Sequence, residues 1–332
     1  MFTYKLAFNF CRASALTFAL LSGSAMAQTE SGKDLVRQLD DAVMEYAYSK
    51  DAADLAIVNS LLASGARPDI KILWHATYYQ RPDLVDRLLE FPIDVNQTFE
   101  TSGETVLLTA LKHGKDPQVS KDELHIVESL LKAGANPNVF AQGGTTTPLK
   151  AALEAQPFPQ PILVKMLLRY GADPKLLSPQ GFSPLMGKGA TNIEVIKLLI
   201  AAGTDPYGVS RVASTPLHYV CTRSFELRDQ PDPQAAERIA LLHKKGTSID
   251  ALSPQQRPWP IGTPLAESAM SRNPDCIKAL LDAGASKDAP AFTPEYALKD
   301  PEVKGQTVRE HVLKSAETHP TLYSDAVVEL FK

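Results

Sequence analysis

The sequence predicts an all-α repeat protein, on the strength of three observations. A word that ends a helix recurs as LLASGARPD at 61, LLKAGANPN at 130, LLRYGADPK at 167 and LIAAGTDPY at 199. A word that starts one follows at TTPLKAAL from Thr146, FSPLMGKG from Phe182, STPLHYVC from Ser214 and GTPLAESA from Gly262. The stop words, counted with weaker copies, mark Gly65, Pro92, Gly134, Gly171, Gly203, Gly246 and Gly284, with gaps of 27, 42, 37, 32, 43 and 38 residues. That is a unit of about thirty-three residues carrying insertions.

Each word has a physical reason. A Gly just past an apolar run can take the left-handed conformation that ends a helix, and a Pro two or three residues on prevents its resumption. In the start word the Thr hydroxyl caps a helix, and Pro at the first helical position loses no hydrogen bond. The weaker stops are LLEFPIDVN at 88, with Pro92 in the Gly place, LHKKGTSID at 242, and LLDAGASKD at 280, which lacks the Pro.

Together the two words resemble the ankyrin repeat, most closely at 181–208 and 215–250, and the likeness runs from about residue 34 to 332. The resemblance implies an all-α ankyrin-repeat solenoid: stacked helix-turn-helix units joined by short hairpin-like turns, in a single domain over 28–332 with atypical first and last units as caps. No unit buries its own apolar face, so stability comes from stacking. Small residues such as Ala151, Ala152 and Ala269 let paired helices approach, and Leu131, Leu168 and Leu281 are expected to bury against neighbouring units.

In order along the chain, SGKDLVRQLDDAVMEYAYSK and AADLAIVNSLLASG supply the first pair, without a Thr-Pro start. The second begins near Ile72, with Trp74 and His75 in the Leu and His places of the word. First helices of the next five start at Thr105, Thr147, Ser183, Thr215 and Thr263. Gly305 and Thr307 open the closing unit. Polar inserts, KHGKDPQVSKDE and TRSFELRDQPDPQAAE, fall between paired helices, and SPQQRPWPIG lengthens a turn.

The opening thirty residues carry Lys5 and Arg12, an apolar run from Ala13 to Leu21, and Ala25-Met26-Ala27 before Gln28. This reads as a secretory signal peptide over 1–27, too short to span a membrane. The expected location is the periplasm or beyond, with no membrane insertion after cleavage. Without the leader the formal charge falls from −4 to −6, which argues against a nucleic-acid partner. Cys221 and Cys276 remain. In an oxidising compartment they could pair; buried free Cys is the commoner role in such stacks.

The motifs of catalysis and metal binding are absent: no Cys-x-x-Cys, His-Glu-x-x-His, Gly-x-Ser-x-Gly or phosphate-cradling Gly loop occurs. His218 and His75 read as structural hydrogen-bonding groups near the turns. The chain is therefore expected to be no enzyme, to need no cofactor or metal, and to bind a protein, as a monomer when alone.

By the register of the resemblance, partner-binding residues lie at the turn tips and first-helix ends: Leu177, Phe182, Tyr207, Arg211 and Trp259 at tips, and Tyr79, Arg223 and Met270 at helix ends. Aromatic and Arg side chains most often dominate interface energies; the alternative is that the rings staple neighbouring turns together. The readings of function are an inhibitor or immunity protein for an exported toxin or hydrolase, an envelope scaffold or protective partner of another enzyme such as a catalase, or an exported effector that binds a host protein. The exported protein is expected to start at Gln28 and to appear in osmotic-shock fluid. Its intact mass checks this, and a species that retains Cys11 would refute it.

Overall fold

The computed structural model describes residues 32–99, 103–112, 119–141, 146–154, 159–222, 230–253, 262–294, 298 and 300–332. Among these it holds fourteen α-helices and no strand. By contacts the chain divides into two compact units, one ending at Asp94 and one running from Val95 to Lys332.

In the N-terminal unit, α1 (Gly32–Ser49) pairs with α2 (Ala52–Ala63), and α3 (Ile70–Tyr78) with α4 (Pro82–Leu89). Asp51 and Asp69 cap α2 and α3 by accepting from the amides of Ala53 and Ile72, and Pro82 sits in the first turn of α4. Each pair turns through a non-Gly residue in the left-handed region, Lys50 at φ 57° and Gln80 at φ 54°. The core is Leu39, Val43, Ala47, Val58, Leu73, Ala76, Leu84 and Leu88, all fully buried. Aligned on its turn residue, α3 differs from the expected register by one position. Leu73 takes the buried Leu place, Trp74 the next, and the helix starts earlier because Asp69 caps it.

The C-terminal unit runs through α5 (Val106–Lys112), α6 (Lys121–Lys132), α7 (Pro148–Leu153), α8 (Pro161–Arg169), α9 (Ile193–Ala201), α10 (Ala235–Leu242), α11 (Pro264–Ser271), α12 (Pro274–Asp282), α13 (Val308–Thr318) and α14 (Asp325–Phe331). First elements pack on first elements, as α5 on α7 and α11 on α13, and second on second, as α8 on α9, α9 on α10, α10 on α12 and α12 on α14. Thr147, Thr263 and Thr307 accept from the amides of Lys150, Ala266 and Glu310, the capping role their words imply. The marker glycines all lie in the left-handed region, from Gly171 at φ 88° to Gly203 at φ 103°.

Two first helices are not helices. After Ser183 the chain makes a turn and then a 3₁₀ segment at Lys188–Ala190, because Gly187 stands at φ 101° and Gly189 lies so close to the Pro184 carbonyl that a Cβ would meet it at 2.1 Å. After Thr215 a single 3₁₀ turn, Pro216–Tyr219, replaces a helix. There His218 stands in the third position of a capping box. Its Nδ1 accepts the Thr215 amide at 3.1 Å, which leaves Nε2 to donate to the Ala251 carbonyl at 3.0 Å.

Cys221 and Cys276 form a disulfide, with Cα atoms 5.8 Å apart, where the sequence favoured separate buried thiols. It joins the end of the Thr215 segment to α12 of the next pair. Beside it Arg238 makes a buried bidentate pair with Asp232, at 2.8 and 2.7 Å, and donates to the Val220 carbonyl at 3.3 Å. These groups pin both margins of the insert at 223–229, which lies outside the described residues.

Turn tips are tied from one pair to the next by side chains. Asn96 donates to the Gly134 carbonyl at 3.0 Å and accepts the Asn136 amide at 2.7 Å. Asn138 does the same one unit later, to the Gly171 carbonyl at 2.9 Å and from the Asp173 amide at 2.7 Å. Asp250 accepts the Ser286 amide at 3.0 Å. These three are the last letters of their stop words. Within each word Asn136, Asp173 and Asp205 also accept the amide two residues on, which holds the turn shape.

Of the second leucines expected to bury, Leu131 does so, and Leu168 and Leu281 do not. The first of each pair, Leu130, Leu167 and Leu280, is fully buried, whereas Leu168 and Leu281 are half-buried. The helix period points the first inward between α7 and α9 and leaves the second at the flank. Leu167→Ala is therefore expected to cost on the order of 2–5 kcal/mol. Leu168→Ala should cost clearly less, and urea unfolding of both variants measures the difference.

Candidate functional site

The expected site residues fall on both units, and each unit carries its own surface. In the C-terminal unit the stop words at 167 and 199 end in Lys175 and Tyr207 rather than Asn or Asp. At the first of these places a different tie serves: Thr204 donates from Oγ1 to the Pro174 carbonyl at 2.7 Å. Beside this tie a cleft of about 260 Å³ opens, walled by Pro174, Lys175, Leu177, Met186, Asp205 and Val209. Leu177 is 51% exposed and Val209 65%, and Tyr207, two residues before Val209 in sequence, is 41% exposed. Large apolar groups held open to water in one place are the usual mark of a contact surface.

Of the other expected tip residues, Phe182 is half-buried and meets Tyr219 edge-on, with ring centroids 6.4 Å apart, so it staples adjacent turns. A groove beside it, lined by Phe140, Leu149, Leu153 and Met186, has room for only about 30 Å³. That admits a water or two and no side chain. Arg211 is exposed, and its amide donates to the Gln180 carbonyl at 3.1 Å, locking neighbouring tips together. Met270, at the end of α11, is 52% exposed. Arg223 and Trp259 lie outside the described residues.

In the N-terminal unit Tyr79 caps α3, and its hydroxyl lies 2.7 Å from that of Tyr48. It belongs to a run of rings that sequence reasoning missed. Trp74 is 4.9 Å from Tyr78, Tyr78 is 5.0 Å from Tyr79, and Tyr79 is 4.9 Å from Tyr48. His75 continues the run 5.2 Å from Trp74, and its Nδ1 lies 2.8 Å from the Asp40 carboxylate, which also accepts from Lys71 at 2.7 Å. The signal that would have found Tyr48 is its place two residues before the turn residue Lys50, matched by Tyr78 before Gln80.

Burial sets the unusual titrations. His218 is pushed down to about 4 by desolvation and is neutral at pH 7, which suits a structural hydrogen-bonding role. Glu267, on α11, is raised to about 8 by desolvation, with no hydrogen-bond partner among the described residues. His311 is lowered by burial and by nearby Lys314. Tyr79 is lifted to about 12, first by its hydrogen bond to Tyr48 and then by desolvation. Among the described residues no group of three or more His, Cys, Asp and Glu is arranged to hold a metal ion, and no helix is long and apolar enough to cross a membrane.

No family model matches the chain, and no curated protein is detectably similar to it in sequence.

The titrations carry a signed expectation. Unfolding lowers the Glu267 value from about 8 to its ordinary 4.5, so the folded state holds a proton the unfolded chain has lost, and stability falls as pH rises through that window. His218 works at the other end: below about 6.5 the unfolded chain takes a proton that the folded state refuses until about 4, so stability falls as pH drops. Replacing Glu267 by Gln should remove the alkaline loss. The stability difference between variant and wild type is expected to move in the variant's favour from pH 5 to pH 8.5. An equal difference at both values would show that the carboxyl ionises normally.

Proposed function

We propose that this protein is an ankyrin-repeat module that binds a protein partner and does no chemistry of its own. Several features support the repeat reading: the recurrent start and stop words, the first-on-first and second-on-second packing of helix pairs, and the ties between successive turn tips. The leader at 1–27 supports export, with the periplasm as the working location. The buried disulfide suits an oxidising compartment.

The observation that carries the binding reading is the open cleft walled by Leu177 and Val209, with the exposed Tyr207 on the same turn as Val209. It lies where the structural Asn of the stop word has been replaced, so these side chains are free of the stacking role and stand in water instead. A partner that seats an apolar side chain between Leu177 and Val209, against Tyr207, would bury a centre of the kind that dominates interface energies. A neutralising protein for an exported toxin or hydrolase is the sharpest form of this reading, and it rests on the leader and on export alone.

The test has two steps. Immobilised mature protein should retain one defined protein from its own periplasmic extract, and the purified pair should bind in solution. The double variant Leu177→Ser, Val209→Ser should then unfold at an unchanged midpoint and bind at least about tenfold more weakly, roughly 1.4 kcal/mol. Unchanged affinity in a stable double variant would remove the cleft from the interface.

A further inference from the structure

The two units differ in charge. Residues 32–94 carry eleven Asp and Glu against seven Lys and Arg, a net −4, whereas residues 95–332, nearly four times as long, sum to −1. The acidic unit is also the one with the linked aromatic rings. Tyr48 is 68% exposed, the most open aromatic side chain among the described residues, and its ring continues through Tyr79 and Tyr78 to Trp74. At the far end of the run the Asp40 carboxylate stands behind His75.

Ring faces carry negative electrostatic potential and attract cations, most strongly those of Arg, whose guanidinium is planar and weakly hydrated. The same unit already shows this chemistry inside itself: the guanidinium carbons of Arg67 and Arg87 each stand 5.9 Å from the Phe91 ring centroid. Arg81, the basic residue nearest to Tyr79 in sequence, is committed elsewhere, donating to the carbonyls of Tyr79, Gln80 and Ala47. Lys71 is held by Asp40. An anionic ligand would meet an unfavourable field here, and a cationic one a favourable field.

We infer that this face of the N-terminal unit, Tyr48 and Tyr79 with Tyr78, Trp74 and Asp40 beyond them, docks a basic segment of a protein partner. An arginine lies over the Tyr48 and Tyr79 rings, and the net negative charge of the unit draws the segment in. The docking face is separate from the turn tips, so it stands or falls independently of the cleft at Leu177 and Val209.

The probe is a synthetic peptide, acetyl-Gly-Arg-Gly-Arg-Gly-Arg-Gly-amide, titrated into the mature full-length chain. A Trp259→Phe background leaves Trp74 as the sole indole, so its fluorescence reports this face. The expected result is a saturable change that weakens with added salt and is absent for the same peptide with citrulline in place of arginine. Tyr48→Leu, which keeps an apolar side chain at an exposed position, should raise the Kd at least about tenfold with an unchanged unfolding midpoint. Three results would each overturn the inference: no saturable change with the arginine peptide, equal binding of the citrulline peptide, or wild-type affinity in Tyr48→Leu. The last would reduce the attraction to net charge alone.

Discussion

In the C-terminal unit everything hangs on how one turn is fastened to the next. Helix pairs of this size bury little by themselves, and isolated helices of six to twelve residues are marginal in water. Apolar packing between pairs supplies the gross stabilisation, but it is non-directional and would tolerate sliding. The side chains of Asn96 and Asn138 remove that freedom. Each accepts an amide and donates to a carbonyl in the following turn, so two backbone groups that the marker Gly would leave unpaired are satisfied and the spacing of successive pairs is set. The stop word is therefore more than a stop: Gly134 ends one helix, Asn136 shapes the turn, and Asn138 reaches forward to the next Gly.

That division explains what was readable from sequence. The positions of the glycines, the Thr caps and the helix pairs follow from local chemistry, since a left-handed residue and a capping hydroxyl act within a few residues of themselves. The forward reach of Asn138 spans 33 residues to Gly171 and leaves no local trace beyond its recurrence at the end of the word. The paired leucines failed for a related reason. Both fit a helix equally well, and only the crossing of α8 between its neighbours decides that Leu167 goes inside while Leu168 stays at the flank. Ser183 failed because the start word was weighed above the two glycines that follow it. Gly187 and Gly189 belong to a tight turn, and Thr-Pro-Leu chemistry, present here as Ser-Pro-Leu, does not overcome them.

The site was legible in proportion to how local its cause is. Tyr79 stood at a helix end by register, and Leu177 and Tyr207 stood at tips. In the structure Tyr79 lies at the end of α3, and Leu177 and Tyr207 in the segments that follow α8 and α9. Phe182 was ambiguous in sequence because a ring at a tip either faces a partner or its neighbour, and Tyr219 resolves it. The ring run of Tyr48, Tyr78, Tyr79 and Trp74 was missed because it joins α1 to α3, so its members lie up to 31 residues apart and no word contains them. The disulfide was underweighted for the same cause: 55 residues separate two cysteines that adjacent pairs bring together.

Structure and availability for binding are thus opposed within one repeated turn. At Asn96, Asn138 and Asp250 the last letter of the stop word is consumed by the next turn, whereas Asp69 caps α3 and Asp288 pairs with Arg309. Where the last letter is Lys175, the tie shifts to Thr204, and exposed side chains and a cleft stand beside it. A stack that kept Asn at every tip would gain a tie at each junction and offer a uniform polar edge. Replacing it at two successive tips forgoes hydrogen bonds of about 1 kcal/mol each, a cost the packing of Leu167 and Leu199 can bear, and it concentrates the departures in one place.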